Sequence, residues 1–598
     1  MDGTAKIVPV IPCSAHLLTA APRPTDGVRP RLSPMFRRIV YYSLLATALL
    51  FFGAFFVVPV CQILRGGVVD ASGEFTWFYL AEVFRNPLYR SGLVNSFLIA
   101  AATTLVSMCI ALPLAWLSDR YDFTLKRLLG GMLLWPMILA PFVGALGMQC
   151  IFGRYGALNA LLVHLGIISQ GQEPDWFAGG PAAVVVLEAL HLFPILYLNL
   201  TAALSNVDPT LLEAASDYGC VGFRRFRKIT LPLIMPGVFA GGTLVFIWSF
   251  TELGTPLMFS FERITAVQIF LGLNDMGRSP IPYALVTVMM LFAGGAYLLA
   301  KFLFSRSSYA MSGKAVRVVE PVRLSGWRNA AATGFFALIA LFGILPHLGV
   351  LGLAFGDSWY RTLLPASASL ANLEAALGHN LTIPSILNSL RYAGMALVLA
   401  MLIGTFIAWV IVRGKGPGRW LLDGAAMLPL AVPGLVMAFG YLAMTRRGEF
   451  FSFLDPVENP TILLVIAYAV RRIPYVVRSA VAGLEQTSVS FEEAAASLGA
   501  KPHRTFLRIT MPLITANLMA GAILTFSFSM LEVSDSLILA QKAVYFPITK
   551  AIYELSSLLG QGAGIAAALG LWTMVFLGVS FLLAAILLGK KLGAVFRG

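Results

Sequence analysis

The amino-acid sequence predicts an all-α polytopic membrane protein of about 12 transmembrane helices, arranged as two parallel six-helix repeats. Three observations predict this fold class: the composition, a series of long apolar segments, and a second half that repeats the first. The 598 residues are 58% hydrophobic and 12% charged. Soluble proteins are about 25% charged, so this chain has too few charged side chains for a water-facing surface. The composition therefore excludes a soluble multidomain enzyme and a disordered chain.

Twelve segments are apolar over the roughly 20 residues that are needed to cross the hydrocarbon core of a bilayer. In the first half they are approximately 38–63, 92–116, 129–152, 182–203, 237–260 and 281–304. In the second half they are approximately 328–354, 386–413, 421–445, 460–480, 513–532 and 566–590.

These segments predict four regions of the chain. Residues 1–37 contain scattered Pro and Arg but no apolar core of a signal peptide, which predicts a disordered cytoplasmic tail. Residues 38–304 form the first half and residues 328–598 the second, each with about six transmembrane helices. The polar, basic segment 305–327 between them is predicted to be a cytoplasmic linker.

Lys and Arg are concentrated in alternate loops, for example at 224–228 and 501–508. Since cytoplasmic loops of inner-membrane proteins are enriched in Lys and Arg, both termini are predicted to be cytoplasmic. The same bias accounts for the net charge of +14. No base-reading motif accompanies that charge, so membrane lipid is expected as a partner and nucleic acid is not.

The internal repeat is the most informative feature of the sequence. The stretch 211–234 aligns without a gap with 491–514, at an offset of 280 that pairs Glu213 with Glu493, Gly219 with Gly499 and Pro232 with Pro512. Further upstream the offset is 293, as for Pro136 and Pro429. Because each half has an even number of predicted helices, both halves begin on the same side of the membrane. A parallel repeat of this kind is one of the architectures that transporters use.

The repeated segment lies between the fourth and fifth predicted helices of each half, on the cytoplasmic side. Its Glu-Ala-Ala sequence favours a helix whose first turn carries a negative charge, which suits the helix dipole. Gly219 and Gly499 then permit a break in the chain, and Pro232 and Pro512 suit the first turn of the next helix. A short projecting amphipathic helix of this kind is suited to docking into a groove on another protein.

The spacing Glu-Ala-Ala, three residues, Gly, nine residues, Ile-x-Leu-Pro resembles the EAA loop of ABC importer permeases, the inner-membrane components of binding-protein-dependent transport systems. The first copy matches completely, and the second has Met511 in place of Leu. The resemblance covers roughly 38–590 and implies two type I ABC permease halves in one chain. In this family the EAA helix is the coupling helix, which seats in a cleft of a cytoplasmic ATPase. The resemblance therefore implies ATPase-coupling roles for Glu213, Ala214, Ala215, Gly219, Glu493, Ala494, Ala495 and Gly499.

The resemblance also implies the partners: two cytoplasmic ABC ATPase subunits, and a periplasmic or lipid-anchored solute-binding protein. The sequence contains no GxxxxGK[ST] phosphate-binding loop, so ATP and Mg²⁺ are expected on the partner ATPase and no cofactor in this chain. No catalytic residues and no metal ligands are predicted. The expected location is the bacterial inner membrane, with the chain crossing it many times.

Glu252 and Glu532 form a symmetric pair near the outer end of the fifth predicted helix of each half. Because ionisable residues inside the membrane are costly, we predict that both line the translocation pathway or its outer gate. The alternative is that both are solvated at the lipid–water boundary. His191, Arg471, Arg472 and Glu188 form a second charged group, which is expected either to form an ion pair across the two halves or to reach the membrane edge.

The substrate is not encoded in any motif. Fusion of two type I halves resembles the ferric-iron permeases, so ferric iron is the leading candidate, and alternating access is the implied mechanism. 2-Aminoethylphosphonate is the alternative, followed by thiamine or a polyamine. A secondary transporter also has two parallel six-helix halves, but it would not need duplicated docking loops.

Overall fold

The computed structural model describes residues 34–70, 72–177, 180–305, 321–357, 359–414 and 416–588. Most of the predicted tail 1–37 and most of the predicted linker 305–327 lie outside these residues. Helices make up most of the described chain, which confirms the predicted fold class. The only strands in this part of the protein are β1 (Tyr121–Asp122) and β2 (Val322–Arg323), which pair in parallel.

Fourteen α-helices lie in the described residues of the first half. They are α1 (Pro34–Phe52), α2 (Val58–Val68), α3 (Phe78–Arg85), α4 (Pro87–Arg120), α5 (Lys126–Met132), α6 (Pro141–Phe152), α7 (Ala157–His164), α8 (Pro181–Ser205), α9 (Pro209–Asp217), α10 (Gly222–Arg225), α11 (Leu231–Phe250), α12 (Gly254–Met258), α13 (Thr265–Leu271) and α14 (Ile281–Ser305). π-Helical turns at Gly53–Val57 and Phe226–Thr230 join neighbouring helices, and 3₁₀ turns lie at Trp135–Ile138 and Gly272–Asp275.

The second half repeats this order. Its helices are α15 (Gly326–Phe355), α16 (Ala371–Gly378), α17 (Thr382–Arg413), α18 (Arg419–Ala431), α19 (Gly434–Met444), α20 (Thr461–Gln486), α21 (Ser490–Ser497), α22 (Pro502–Thr505), α23 (Met511–Met530), α24 (Ser534–Leu539), α25 (Ile548–Ser556) and α26 (Gly562–Leu588). A π-helical turn lies at Phe506–Thr510, and 3₁₀ turns lie at Ser452–Leu454 and Ala543–Tyr545.

Nine helices of the described chain are long and apolar enough to cross a membrane, and two bent helix pairs raise that number to eleven. The one predicted segment outside this number is the tenth, 460–480, which is α20 and carries the charges of Arg471, Arg472, Arg478 and Glu485. The repeat places α20 as the equivalent of α8. Consistent with this, α20 packs against α17 as α8 packs against α4.

The predicted spans 129–152 and 421–445 are wrong as continuous helices. The chain bends by 102° between Lys126–Ile138 and Pro141–His164, and by 103° between α18 and α19. Pro141 begins α6, and Pro433 immediately precedes α19. Because the residue before a proline is driven out of the helical conformation, each proline sets the break in its span.

The two halves interlock through their first membrane helices. α1 packs against α17 and α18, and α15 packs against α5 and α6. Two equivalent glycines permit further close approaches between the halves: Gly147 of α6 faces α15, and Gly440 of α19 faces α2. A Cβ on Gly440 would lie 2.8 Å from Cβ of Pro59 in α2, and one on Gly147 would overlap the backbone of Pro346 and Gly349 in α15. Tyr441 adds a hydrogen bond across the halves, donating to the carbonyl of Phe55 at 2.8 Å.

Candidate functional site

The two predicted docking loops have the same order of short helix, left-handed glycine, short helix and π-helical turn in both halves. α9 is followed by Gly219 at φ +72°, and α21 by Gly499 at φ +81°. Both values lie in the left-handed region, where a side chain is strained and glycine is favoured. Each chain then forms one short helix and a π-helical turn before entering α11 or α23. We call these two segments, residues 209–230 and 490–510, the first and second coupling loops.

The tips of both coupling loops expose apolar side chains. Tyr218 is 92% exposed and Leu498, its equivalent at the 280 offset, is 89% exposed. Glu213, Ala214, Glu493 and Ala494 are exposed as well, whereas Ala495 is buried and Ala215 is half-buried. Large side chains left uncovered beside exposed small residues are typical of a surface that binds another protein.

The first coupling helix begins at a polar cap. Oδ1 of Asp208 accepts hydrogen bonds from the backbone N–H and the hydroxyl of Thr210, at 2.9 and 2.8 Å. These hydrogen bonds lower the pKa of the Asp208 carboxyl, so the group is ionised at neutral pH. A negative charge at this position also interacts favourably with the N-terminal end of the helix dipole.

A cavity of about 160 Å³ lies between the two halves. That volume has room for on the order of ten water molecules. Equivalent positions of the repeat line it from both sides, including Glu252 and Glu532, His191 and Arg471, Leu192 and Arg472, and Ala140 and Pro433. His191 lies ten residues into α8, which is about 15 Å along the helix axis and places the cavity well inside the membrane.

The second-half wall of the cavity carries a four-residue ionic cluster. Glu532 accepts hydrogen bonds from Nη1 of Arg471 and Nη2 of Arg472, both at 2.5 Å. Arg471 also lies 3.4 Å from Oδ2 of Asp535. The guanidinium of Arg471 occupies the space where a side chain on Gly434 would lie. Two guanidinium groups and two carboxyl groups therefore lie together in this cluster.

The first-half wall has carboxylates but no cation. Glu188 is 1% exposed and interacts with the hydroxyls of Thr103 and Ser249, while its Oε1 has no hydrogen-bond partner. Oε1 of Glu252 accepts hydrogen bonds from the backbone N–H of Gly254 and of Thr255 at 3.1 and 3.3 Å. Nδ1 of His191 lies 2.8 Å from the carbonyl of Pro136. The repeat is thus symmetric in backbone and asymmetric in charge.

Residues 91–318 and 396–588 each match the family model of the binding-protein-dependent transport system inner membrane component. The chain belongs to this family. The two matches together span more than half of the 598 residues and fall one in each half. The chain is therefore an ABC importer permease, a multi-pass inner-membrane protein, with two fused permease halves.

Relatives with known names support this assignment. The permease is 26% identical to the putative ferric transport system permease protein FbpB 1 of Haemophilus influenzae, over 77% of this chain and 70% of the relative. It is 26% identical to the ferric transport system permease protein FbpB of Actinobacillus pleuropneumoniae, over 76% of this chain and 64% of the relative. It is 32% identical to the spermidine/putrescine transport system permease protein PotB of Haemophilus influenzae, over 27% of this chain and 56% of the relative.

Glu252 and Glu532 both line the cavity, and each lies two residues beyond the end of its helix, α11 or α23. Both residues lie near the outer end of the fifth helix of their half, but the predicted spans 237–260 and 513–532 extend too far, because the helices end at Phe250 and Met530. Their role in transport stays a prediction. The expectation that Arg471 and Arg472 reach the membrane edge is wrong, since both line the cavity and pair with Glu532 within the second half.

Sequence reasoning missed Asp535 and the buried hydroxyl of Ser249. Asp535 is fully buried at the start of α24 and interacts with Arg471. The signal was present in the repeat, because the 280 offset pairs Asp535 with Thr255 and Arg472 with Leu192. Charges that appear in only one half of a duplicated chain mark a place where the two halves differ in chemistry.

Proposed function

We propose that this ABC permease imports ferric iron, which a periplasmic or lipid-anchored binding protein delivers to the outer face. Two cytoplasmic ATPase subunits, which supply the ATP and Mg²⁺ sites, dock on the two coupling loops. Both termini of the chain lie in the cytoplasm. The observation that carries the proposal is the duplicated coupling loop, exposed in both halves and continuous with the helices that line one shared cavity.

Each coupling loop is connected to the cavity by a single helix. The first loop runs through the π-helical turn at Phe226–Thr230 into α11, and Glu252 follows the far end of α11. The second loop runs through the equivalent turn into α23, and Glu532 follows that helix. A helix of 20 residues is about 30 Å long, so a tilt of either coupling loop displaces a cavity wall across the membrane. This arrangement supports alternating access driven by closure of the two ATPases.

The charge of the cavity supports a cationic cargo. Three carboxyl groups line the cavity, those of Glu188, Glu252 and Glu532, against the two guanidinium groups of Arg471 and Arg472. A surplus of carboxyl groups over guanidinium groups suits a cation better than an anion. The surplus therefore favours ferric iron over 2-aminoethylphosphonate, whose phosphonate group is anionic.

A polyamine is the second candidate. The 32% identity with a spermidine/putrescine permease over 27% of this chain favours it, and an acidic cavity also suits a polyamine. The test that separates the two is uptake of labelled ferric iron and of labelled putrescine by cells that lack the gene, with and without the intact chain.

We expect loss of ferric uptake in the deletion strain and its restoration by the intact chain, with putrescine uptake unchanged. A chain that carries both Glu213→Lys and Glu493→Lys should reach the membrane but not restore uptake, because the added charges disrupt ATPase docking. Normal ferric uptake in the deletion strain, together with loss of putrescine uptake, would show that the cargo is a polyamine rather than ferric iron. Restoration by the doubly substituted chain would contradict the ATP-driven mechanism.

A further inference from the structure

The second coupling helix is tied to the membrane domain by an ion pair at the end of α17. Arg413 is the last residue of α17, and its Nε donates to Oε1 of Glu492 in the first turn of α21 at 3.1 Å. The side chains are only 10% and 20% exposed. A charge-assisted hydrogen bond that is shielded from water is stronger than one between neutral groups, so this contact holds α21 firmly to α17.

The same two side chains reach two further helices. Nη2 of Arg413 donates to the carbonyls of Leu484 and Thr487, at the C-terminal end of α20, at 3.0 and 2.9 Å. Oε1 of Glu492 also accepts from the hydroxyl of Thr510, in the π-helical turn that leads into α23, at 3.2 Å. One ion pair therefore joins the coupling helix to three membrane helices: α17, α20 and α23.

The first half has the cation of this junction but not the anion. Arg120 ends α4 and is the equivalent of Arg413 at the 293 offset, whereas Leu212 occupies the position of Glu492 at the 280 offset. Nε of Arg120 lies 3.6 Å from its chain neighbour Asp119. Within the described residues, no ion pair joins α4 to α9. Ser216 of the first coupling helix instead accepts a hydrogen bond from Arg225, in the loop that follows it, at 2.6 Å.

We propose that Arg413 and Glu492 form a latch that transmits movement of the second coupling helix to α17, α20 and α23, and that the two halves are coupled unequally to the ATPases. The inference rests on the proposed function, since it requires that α21 docks on an ATPase. Arg413 and Glu492 are positioning residues that touch neither ATP nor cargo. Energetic coupling of this kind passes through packed side chains and hydrogen-bonded networks between rigid elements.

The test uses the full complex of permease, ATPase and binding protein in liposomes, and compares Arg413→Gln with the matched variant Arg120→Gln. The first readout is ferric iron transported per ATP hydrolysed. The second readout does not depend on the cargo: it is the ATP-dependent change in thiol labelling of Ser534→Cys on the cavity wall, in a chain without its five native cysteines.

We expect the Arg413→Gln complex to retain bound ATPase and ATP hydrolysis. It should lower both transport per ATP and the ATP-dependent labelling change by about fivefold or more, which is the lower end of typical coupling effects. Arg120→Gln should change transport per ATP and the labelling by less than about twofold, which is below the range of typical coupling effects. Glu492→Gln keeps an oxygen that accepts from Thr510 but removes the charge, and it should reproduce the loss of coupling. Arg413→Lys keeps the positive charge and should lose less coupling than Arg413→Gln. If Arg413→Gln does not fold, Glu492→Gln and Arg413→Lys decide the question.

Equal effects of Arg413→Gln and Arg120→Gln, or no effect of Glu492→Gln, would overturn the latch. Loss of ATPase binding in Glu492→Gln would overturn it as well, since the pair would then serve docking rather than transmission. Failure of the proposed function gives a different result, because the unsubstituted complex would then bind no ATPase and ATP would not change the labelling of Ser534→Cys.

Discussion

At the scale of single residues, the charge of the cavity wall depends on which side chains find partners. Glu532 is held by two guanidinium groups, whereas its equivalent Glu252 accepts hydrogen bonds only from backbone N–H groups among the described contacts. The side chains of Arg471 and Arg472 are only 20% and 9% exposed, so water in the cavity can replace a lost carboxylate partner only in part. The two equivalent glutamates should therefore differ strongly in their contribution to stability.

Glu532→Gln should destabilise the protein by about 3–5 kcal/mol, because removal of one partner leaves a buried charge uncompensated. Glu252→Gln is the matched control and should cost less than about 1 kcal/mol, because the amide oxygen can still accept hydrogen bonds from the N–H groups of Gly254 and Thr255. Thermal unfolding of the purified chain in detergent measures both. Equal melting temperatures for the two variants would show that the ion pairs with Arg471 and Arg472 contribute little.

Gly434→Ala should also disturb this cluster. A Cβ at this position would overlap the guanidinium of Arg471, which Glu532 and Asp535 hold in place. Overpacking of this kind costs about 1–3 kcal/mol. Gly424→Ala in α18 is the control, since a Cβ there meets no atom within 4 Å, and it should leave the melting temperature unchanged or raise it slightly. An unchanged melting temperature for Gly434→Ala would mean that the side chain of Arg471 can move away without cost.

At the scale of the elements, the coupling loops show how local sequence produces an exposed tip. The glycine after each coupling helix has a positive φ, so the chain reverses and leaves Tyr218 or Leu498 at the tip. The following π-helical turn continues into the membrane helix without a loop. Each tip is therefore rigidly connected to a cavity wall, and its apolar side chain has no partner within the described chain.

The double variant Tyr218→Ser, Leu498→Ser should weaken ATPase binding. Buried aromatic and aliphatic contacts at the centre of an interface cost about 2–4 kcal/mol each when truncated, so most of the ATPase should be lost on purification. Val457→Ser is the control, because Val457 is exposed in the loop between α19 and α20, on the opposite side of the membrane. Unchanged recovery of ATPase with the double variant would place the docking surface elsewhere.

At the scale of the whole molecule, the two halves form one body because the first membrane helix of each half packs against the other half. α1 contacts α17 and α18, and α15 contacts α5 and α6. Tyr41 donates hydrogen bonds to the carbonyls of Gly416 and Pro417 at 3.1 and 3.0 Å, which adds a polar contact across the halves. This exchange encloses the cavity and explains how a duplicated chain can act as a single permease.

A chain divided within 306–320 should therefore still assemble. The cut leaves every described contact between the halves in place, so the two co-expressed pieces should purify together and support uptake. A cut within α15, between Ala340 and Leu341, is the control and should abolish both, because it separates the helix that packs on α6. Failure of the pieces cut within 306–320 to associate would show that the covalent connection, rather than the helix exchange, holds the halves together.

The sequence alone determined the membrane class, the twelve apolar segments, the parallel repeat and the positions of both coupling loops. These features depend on local composition, on the thickness of the bilayer and on the need to satisfy backbone hydrogen bonds within a span, all of which act on neighbouring residues. Proline marks where each bent span breaks, but the tertiary structure alone decided the size of the bends, about 100°, the exchange of first helices, and the choice of Glu532 rather than Glu188 or Glu252 as the partner of Arg471 and Arg472. Those partners lie about 60 residues apart along the chain, and only the packing of α20 against α23 sets the distance between their side chains.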